Sequence, residues 1–135
     1  MSEWSHLPNA HHIDRVIESS NKHPEIWVAA WASAGPVAWD AAWGAAWDAA
    51  GDAAWSAAKN AAWYAAVKTA DRENAAWYAA RNATLALISY DDSAKYLDMP
   101  SEKLRMWYIL SEDPAAILLL PAVIAFEKIN ELECV

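Results

Sequence analysis

A four-residue alternation of alanine with larger side chains dominates the chain from Ala38 to Ala83. The second position of the successive units holds Trp39, Trp43, Trp47, Gly51, Trp55, Lys59, Trp63 and Val67. Alanine has the highest helix propensity and no proline occurs between residues 37 and 99, so the pattern predicts helix throughout this block. After residue 70 the register slips by two positions and then resumes.

The four-residue period does not match the α-helical repeat. Each step of four advances ~40° around the axis, so one straight helix would carry its tryptophans most of the way round. Such a helix would need partners on all sides or a right-handed supercoil. We predict instead one or two breaks, at Gly44, Gly51 or residues 69–74, because short helices are common in globular proteins. The tryptophans then either fill the core between alanine faces or line a ligand cavity.

The N-terminal flank has a shorter and more ordinary apolar pattern. Asn9 precedes an i, i+3, i+4 apolar set and is predicted to cap that helix with its side chain. The set consists of Ile13, Val16 and Ile17. Pro24 suits the first position of a second helix, which the pair Gly35-Pro36 ends.

The C-terminal flank is predicted to hold three helices. The first is a short helix at Ala94–Met99, and Ser101 is predicted to cap the next. Asp91 and Asp92 form a polar junction that can cap the short helix, orient an arginine or bind a ligand hydroxyl. The last helix, Ala115–Leu132, is predicted to bend at Pro121 and is apolar nearly all round, which places it either at the centre of the fold or against another subunit.

These patterns predict an all-α fold of about six to eight helices packed as a compact bundle or array. We expect a single domain over residues 1–135, with N-terminal helices at 1–35, the Ala/Trp-repeat block at 36–90 and C-terminal helices at 91–135. The last helix and the alanine faces favour a homo-oligomer with two-fold symmetry.

The formal net charge of −8 argues against a nucleic-acid partner, because phosphate contacts require clustered lysine and arginine. The longest apolar run, residues 114–126, is too short to span a bilayer, and the first thirty residues do not read as a signal peptide. We therefore expect no membrane partner and a cytoplasmic protein. The single cysteine, Cys134, excludes an internal disulfide.

No catalytic motif occurs in the sequence. There is no glycine-rich phosphate loop, GxSxG, HExxH or CxxC, and the four histidines form no H-x-x-x-H pair. We expect no catalytic residues, no metal site and no cofactor, and hence a protein that is not an enzyme.

The candidate ligand site is a row of aromatic and basic residues in the second half of the repeat block. Fourteen positions separate Trp63 from Trp77, which is ~40° short of four full turns, so one continuous helix would place both rings on one face. Lys59 lies four positions before Trp63, and Arg81 lies four positions after Trp77. Cations beside stacked indoles suit a ring-bearing anion such as a nucleotide.

A neighbouring row extends this candidate site. It consists of Tyr64, Lys68 and Arg72 at i, i+4 and i+8, with Tyr78 close to its extension. The structural alternative for both rows is a solvated face with ordinary cation–aromatic pairs.

The AAWxAAW and AARNA units, the junction YDDSAKYLDMP and the segment DPAAILLLPAVIAF resemble small Ala/Trp-repeat proteins encoded by bacteriophages. They are also similar to alanine-repeat immunity proteins of bacterial toxin loci. The resemblance covers roughly residues 36–126 and implies an all-helical fold in a setting of phage–host or toxin–immunity conflict. If the protein is phage-encoded, it would act in the host cytoplasm.

Two functions fit that setting, and a purely structural role is the third alternative. The first is a counter-defence protein that binds and sequesters a nucleotide-derived immune signal, such as a cyclic dinucleotide or an ADP-ribose derivative. The alternative is an acidic inhibitor or immunity protein that docks on a basic surface of a host or toxin protein. The aromatic residues and the basic second half favour sequestration, whereas the net charge favours the inhibitor.

Overall fold

The described part of the chain consists of five α-helices and one 3₁₀ helix. The computed structural model describes residues 4–34, 58, 74–111 and 114–133. The α-helices are α1 Ala10–Lys22, α2 Pro24–Ala34, α3 Asn74–Ser89, α4 Ser101–Ser111 and α5 Pro114–Glu133, and the 3₁₀ helix is Ser93–Asp98. No strand occurs in these ranges, which confirms the all-α class for the part of the chain described. Apart from Ala58, the repeat block up to residue 73 lies outside the described residues, and with it the predicted helix breaks.

The helices α1 and α2 form as the apolar pattern predicts. On α1 the side chains of Ile13, Val16, Ile17 and Ser20 are buried, which is one face of the helix. His23 links the two helices, because its N–H donates to the carbonyl of Ser19 at 2.9 Å and its carbonyl accepts from the N–H of Trp27 at 3.1 Å. Pro24 opens α2, where the missing proline N–H leaves no hydrogen bond unmade.

Asn9 lies at the N-cap position of α1, but its side chain makes no cap hydrogen bond there. The predicted side-chain cap is therefore wrong. The Asn9 amide instead donates to the carbonyl of Leu87 at 2.7 Å and to that of Tyr90 at 3.2 Å. Those carbonyls belong to the last turn of α3 and the residue after it, where no following N–H is available within the helix. Asn9 thus ties the start of α1 to the end of α3.

The helices α3 and α5 are the centre of the fold. On α3 every residue from Ala79 to Ile88 except Arg81 is buried, and α3 packs against α1, α2 and α5. On α5 the residues from Ala115 to Val123 are buried, and α5 packs against α2, α3, α4 and the 3₁₀ helix. Helix α5 is therefore central to the fold of a single chain. Its apolar circumference no longer argues for a second subunit, so the homo-oligomer stays a prediction that needs another basis.

Two details of the C-terminal flank differ from the sequence prediction. The predicted short helix is present as a 3₁₀ helix, but Asp92 at its N-cap makes no side-chain cap bond. The carboxylate of Asp92 accepts a hydrogen bond from Lys95 at 2.8 Å, and this exposed contact lowers the pKa of Asp92. Ser101 does not cap α4 with its side chain, since its hydroxyl donates to Glu127 at 3.1 Å.

Glu127 of α5 supplies the cap that α4 needs. One carboxylate oxygen accepts the backbone N–H of Ser101 at 2.6 Å, and the other accepts the Ser101 hydroxyl. A negative charge at a helix N-terminus is stabilised by the unpaired N–H groups and the helix dipole. Helix α5 continues through Pro121 to Glu133. Among the described helices, none combines the length and the apolar character that crossing a bilayer requires.

Candidate functional site

The described residues contain three of the eight positions of the predicted ligand site. Trp77 and Tyr78 lie in the first half of α3, and Arg81 follows one turn after Trp77 with its side chain partly buried. The other five positions, Lys59, Trp63, Tyr64, Lys68 and Arg72, lie outside the described residues. The predicted pairing of Trp63 with Trp77 on one face therefore stays a prediction.

Asn82, next to Arg81, is the most unusual polar residue of α3. Its exposed fraction is 0 %, and neither Nδ2 nor Oδ1 has a hydrogen-bond partner. The buried hydroxyl of Thr84 on the same helix is satisfied, because its Oγ1 donates to the carbonyl of Ala80 at 2.7 Å. Nearly all buried polar groups in folded proteins have partners, so an amide with both ends unpaired calls for a physical reason.

A second unpaired group lies on the same face of α3. The hydroxyl of Ser89 is buried and has no partner. Seven positions separate Ser89 from Asn82, so the two side chains leave the helix within ~20° of each other, two turns apart. The side chains of Asn82 and Ser89 form a stripe on this face of α3. The stripe therefore runs along α3 beside the position of Arg81.

The ligand site predicted from the sequence includes Arg81 but not Asn82. A signal was available, because Asn82 lies in the middle of the helical segment AARNATLAL, six of whose nine residues are alanine or leucine. Helix interiors disfavour asparagine, so its position inside a long helical pattern is informative. Periodicity alone did not reveal that α3 is buried on this side as well.

Arg15 is the centre of a different polar cluster, on α1. Its guanidinium lies 4.6 Å from the ring centre of Phe126, which is a cation–π contact. It also lies 3.3 Å from the carboxylate of Asp98 and 3.4 Å from Nδ1 of His12. Burial lowers the pKa of His12, and the positive charges of Arg15 and His11 lower it further while Asp98 opposes them. Arg15 therefore links α1 to α5 and to the 3₁₀ helix.

A groove of about 240 Å³ adjoins this cluster between α1 and the C-terminal half of α5. Charges of both signs line it, namely Arg15 and Lys22 against Glu18 and Glu133. Lys22 pairs with Glu18 at 3.2 Å, and Arg15 is already engaged by aromatic and carboxylate groups. The groove has no excess of one charge and no unpaired buried group among the described residues, so its chemistry favours no particular ligand.

The described residues contain no group of three His, Cys, Asp or Glu side chains placed to hold a metal ion. His11 and His12 contact each other edge to face, with ring centres 5.3 Å apart. Of the two polar regions described here, the stripe on α3 is the one with unmet hydrogen-bonding capacity. In comparisons with known proteins the chain matches no family model, no curated protein and no solved structure.

Proposed function

We propose that this protein binds a small ring-bearing anion of the nucleotide type and sequesters it without chemical change. The observation that supports the proposal is the unpaired amide of Asn82, which lies beside Arg81 on the helix that also carries Trp77. An amide offers one donor edge and one acceptor edge, which is the pattern that a nucleobase edge can pair with.

The unpaired amide is energetically unfavourable without a partner. A buried donor or acceptor without a hydrogen bond costs about 1–3 kcal/mol, and Asn82 has both kinds of atom unpaired. A ligand that pairs with this amide would recover that free energy on binding. The cost of Asn82 to the unliganded protein is therefore a source of affinity, as in sites that hold a stability cost for the sake of function.

Binding at Asn82 requires local opening. The side chain has no surface accessible from outside in this conformation. We expect the packing around Asn82 to part when the ligand enters, and the ligand must favour that open state to be bound. Arg81 is partly buried and adjacent, so its guanidinium can meet a phosphate or carboxylate of the same ligand.

Calorimetric titration tests the proposal directly. Wild type is titrated with cyclic dinucleotides, ADP-ribose derivatives and the corresponding nucleosides. We expect Arg81→Ala to weaken binding by ~1.5–3 kcal/mol, because a charge-assisted hydrogen bond to the anion is lost. Arg105→Ala is the matched control, because Arg105 lies on α4 rather than on α3 and donates to the carbonyl of Ser33 on α2. It should leave binding unchanged.

Asn82→Leu supplies a second and independent readout. It removes the amide, so binding should weaken by about 1–3 kcal/mol while the helical signal stays intact. Binding that is unchanged in both Asn82→Leu and Arg81→Ala would reject this site. If the wild type binds no member of the panel, the sequestration function is rejected. The alternative function, an acidic inhibitor that docks on a basic protein, would then be the better explanation.

The setting that we propose is phage counter-defence, in the cytoplasm of the host cell. It rests on the resemblance of the repeat units to phage-encoded Ala/Trp-repeat proteins and on the nucleotide-like chemistry of the proposed ligand. Native mass spectrometry of protein purified from cells carrying a nucleotide-signalling defence system gives the sharpest check. We expect a retained small molecule, and a lower occupancy of it in Asn82→Leu prepared in the same way.

A further inference from the structure

An apolar groove of about 340 Å³ runs between α2 and α5, and no residue of α3 lines it. Its lining residues are Glu25, Ile26, Ala29, Ala30 and Ser33 of α2 and Ile124 and Lys128 of α5. The floor is apolar and partly open, since the side chains of Ile26 and Ile124 are only partly buried against the core. On the α2 wall, Ala29 and Ser33 are exposed, so a neighbouring backbone can approach closely.

The two helices that form the groove run in opposite directions. At the start of α2, His23 lines the adjoining groove together with Asn130 and Glu133 of α5. One turn further along α2, Trp27 packs edge to face on Phe126, an earlier residue of α5, with ring centres 5.8 Å apart. Lys128 lies between Phe126 and Asn130 on α5, just as Glu25 lies between His23 and Trp27 on α2. Glu25 and Lys128 therefore lie at the same level on opposite walls.

The charges of this pair are available to a partner. Lys128 has a loose contact with Glu131 at 3.7 Å, in which both side chains are mostly exposed. Glu25 is exposed and takes part in no ion pair within the described part of the chain. The groove thus presents one negative and one positive group across an apolar floor.

We propose that this groove is where a second copy of the chain docks, with a two-fold axis that runs along the groove. Such an axis exchanges the two walls, so Glu25 of each copy faces Lys128 of the partner subunit, twice in the dimer. In a two-fold interface the same surface patch of both copies is in contact, so the patch must be complementary to itself. Glu25 and Lys128 meet this condition, because they carry opposite charges at the same height on the two walls. The ligand proposal plays no part in this inference.

Charge complementarity is the reason that a second copy is the occupant. Two chains of net charge −8 repel each other, so their contact surface must be apolar or locally balanced. The groove is both. A basic partner protein would be attracted to a patch of acidic residues, whereas here a lysine stands opposite the glutamate.

Charge reversal tests the geometry. Wild type should sediment as a dimer of twice 14.9 kDa at micromolar concentration. Glu25→Lys and Lys128→Glu should each weaken the dimer by about tenfold or more, because each creates two like-charge pairs across the axis. The double variant Glu25→Lys/Lys128→Glu should restore the dimer, because both pairs become attractive again.

Mixing the two single variants gives the decisive result. A heterodimer of Glu25→Lys with Lys128→Glu has two attractive pairs, so the mixture should dimerise although each variant alone does not. Glu18→Lys is the matched control, because it changes the charge equally on α1, outside the groove, and should leave the dimer intact. A monomeric wild type would overturn the proposal. So would a dimer that is insensitive to both reversals, or a mixture that stays monomeric.

Discussion

Replacement of Asn82 by leucine should make the protein more stable. Leucine has the same branched outline as asparagine, so it removes both unpaired polar atoms and keeps most of the shape. Relief of the unpaired amide is worth about 1–3 kcal/mol, and the higher helix propensity of leucine adds roughly 0.5 kcal/mol. Crowding by the larger side chain in a fully buried site offsets about 1 kcal/mol of this gain. We expect a net increase of about 0.5–2.5 kcal/mol in the free energy of unfolding.

Asn9→Leu is the matched control for that experiment. Asn9 is also buried, with an exposed fraction of 4 %, but its amide donates to the carbonyls of Leu87 and Tyr90. The same chemical change should therefore lower the free energy of unfolding by about 1–3 kcal/mol. The two asparagines are predicted to respond with opposite signs.

Urea-induced unfolding followed by far-UV circular dichroism measures both variants. Circular dichroism reports the helices directly, whereas the emission of ten tryptophans would mix many local environments. If Asn82→Leu loses as much stability as Asn9→Leu, the amide of Asn82 has partners in solution, such as an enclosed water molecule. In that case the reasoning from its unpaired state fails, and so does the main support for the ligand site.

Two further predictions concern the polar contacts that hold helices together. The pKa of His12 is lowered in the folded protein, mainly by burial and then by Arg15, so the folded state takes up a proton less readily than the unfolded chain. The contribution of neutral His12 to the free energy of unfolding is therefore complete above the unfolded pKa of about 6.5 and is lost as the pH falls below it. His12→Gln should reduce this loss of stability at low pH, measured by thermal unfolding across the pH range. An unchanged pH dependence in the variant would contradict the prediction. Glu127→Ala should cost ~1–2 kcal/mol by removing the cap at Ser101, whereas Glu131→Ala on the exposed face should shift urea unfolding by less than ~0.5 kcal/mol. Equal effects of these two variants would show that the Glu127 contact is not formed.

The sequence predicted the existence of the flanking helices because each of their signals is local. The i, i+3, i+4 set on α1 and the proline at the start of α2 depend on residues a few positions apart. The predictions of side-chain caps failed where a side chain forms its hydrogen bonds with a segment that is distant in the sequence. Asn9 stands at the N-cap of α1 and Ser101 is the first residue of α4, but their side chains bond Leu87, Tyr90 and Glu127 instead of capping their own helices.

The candidate site shows the same limit. Alanine and tryptophan spacing identified α3 as a helix that carries Arg81, but spacing alone does not show which faces of a helix are covered. Asn82 became informative only once the packing of α1, α2 and α5 around α3 had shown that its amide is enclosed and unpaired.

The central position of α5 has a consequence for how the protein is made. Helices α1, α2 and α3 leave the ribosome before the helix on which α2 and α3 pack has been synthesised. Until residues up to about 133 have emerged, their apolar faces remain exposed, and long-range contacts of this kind slow folding and favour aggregation of nascent chains. A chain truncated before Pro114 should therefore bind a holdase chaperone and be degraded rather than persist as a partly folded protein.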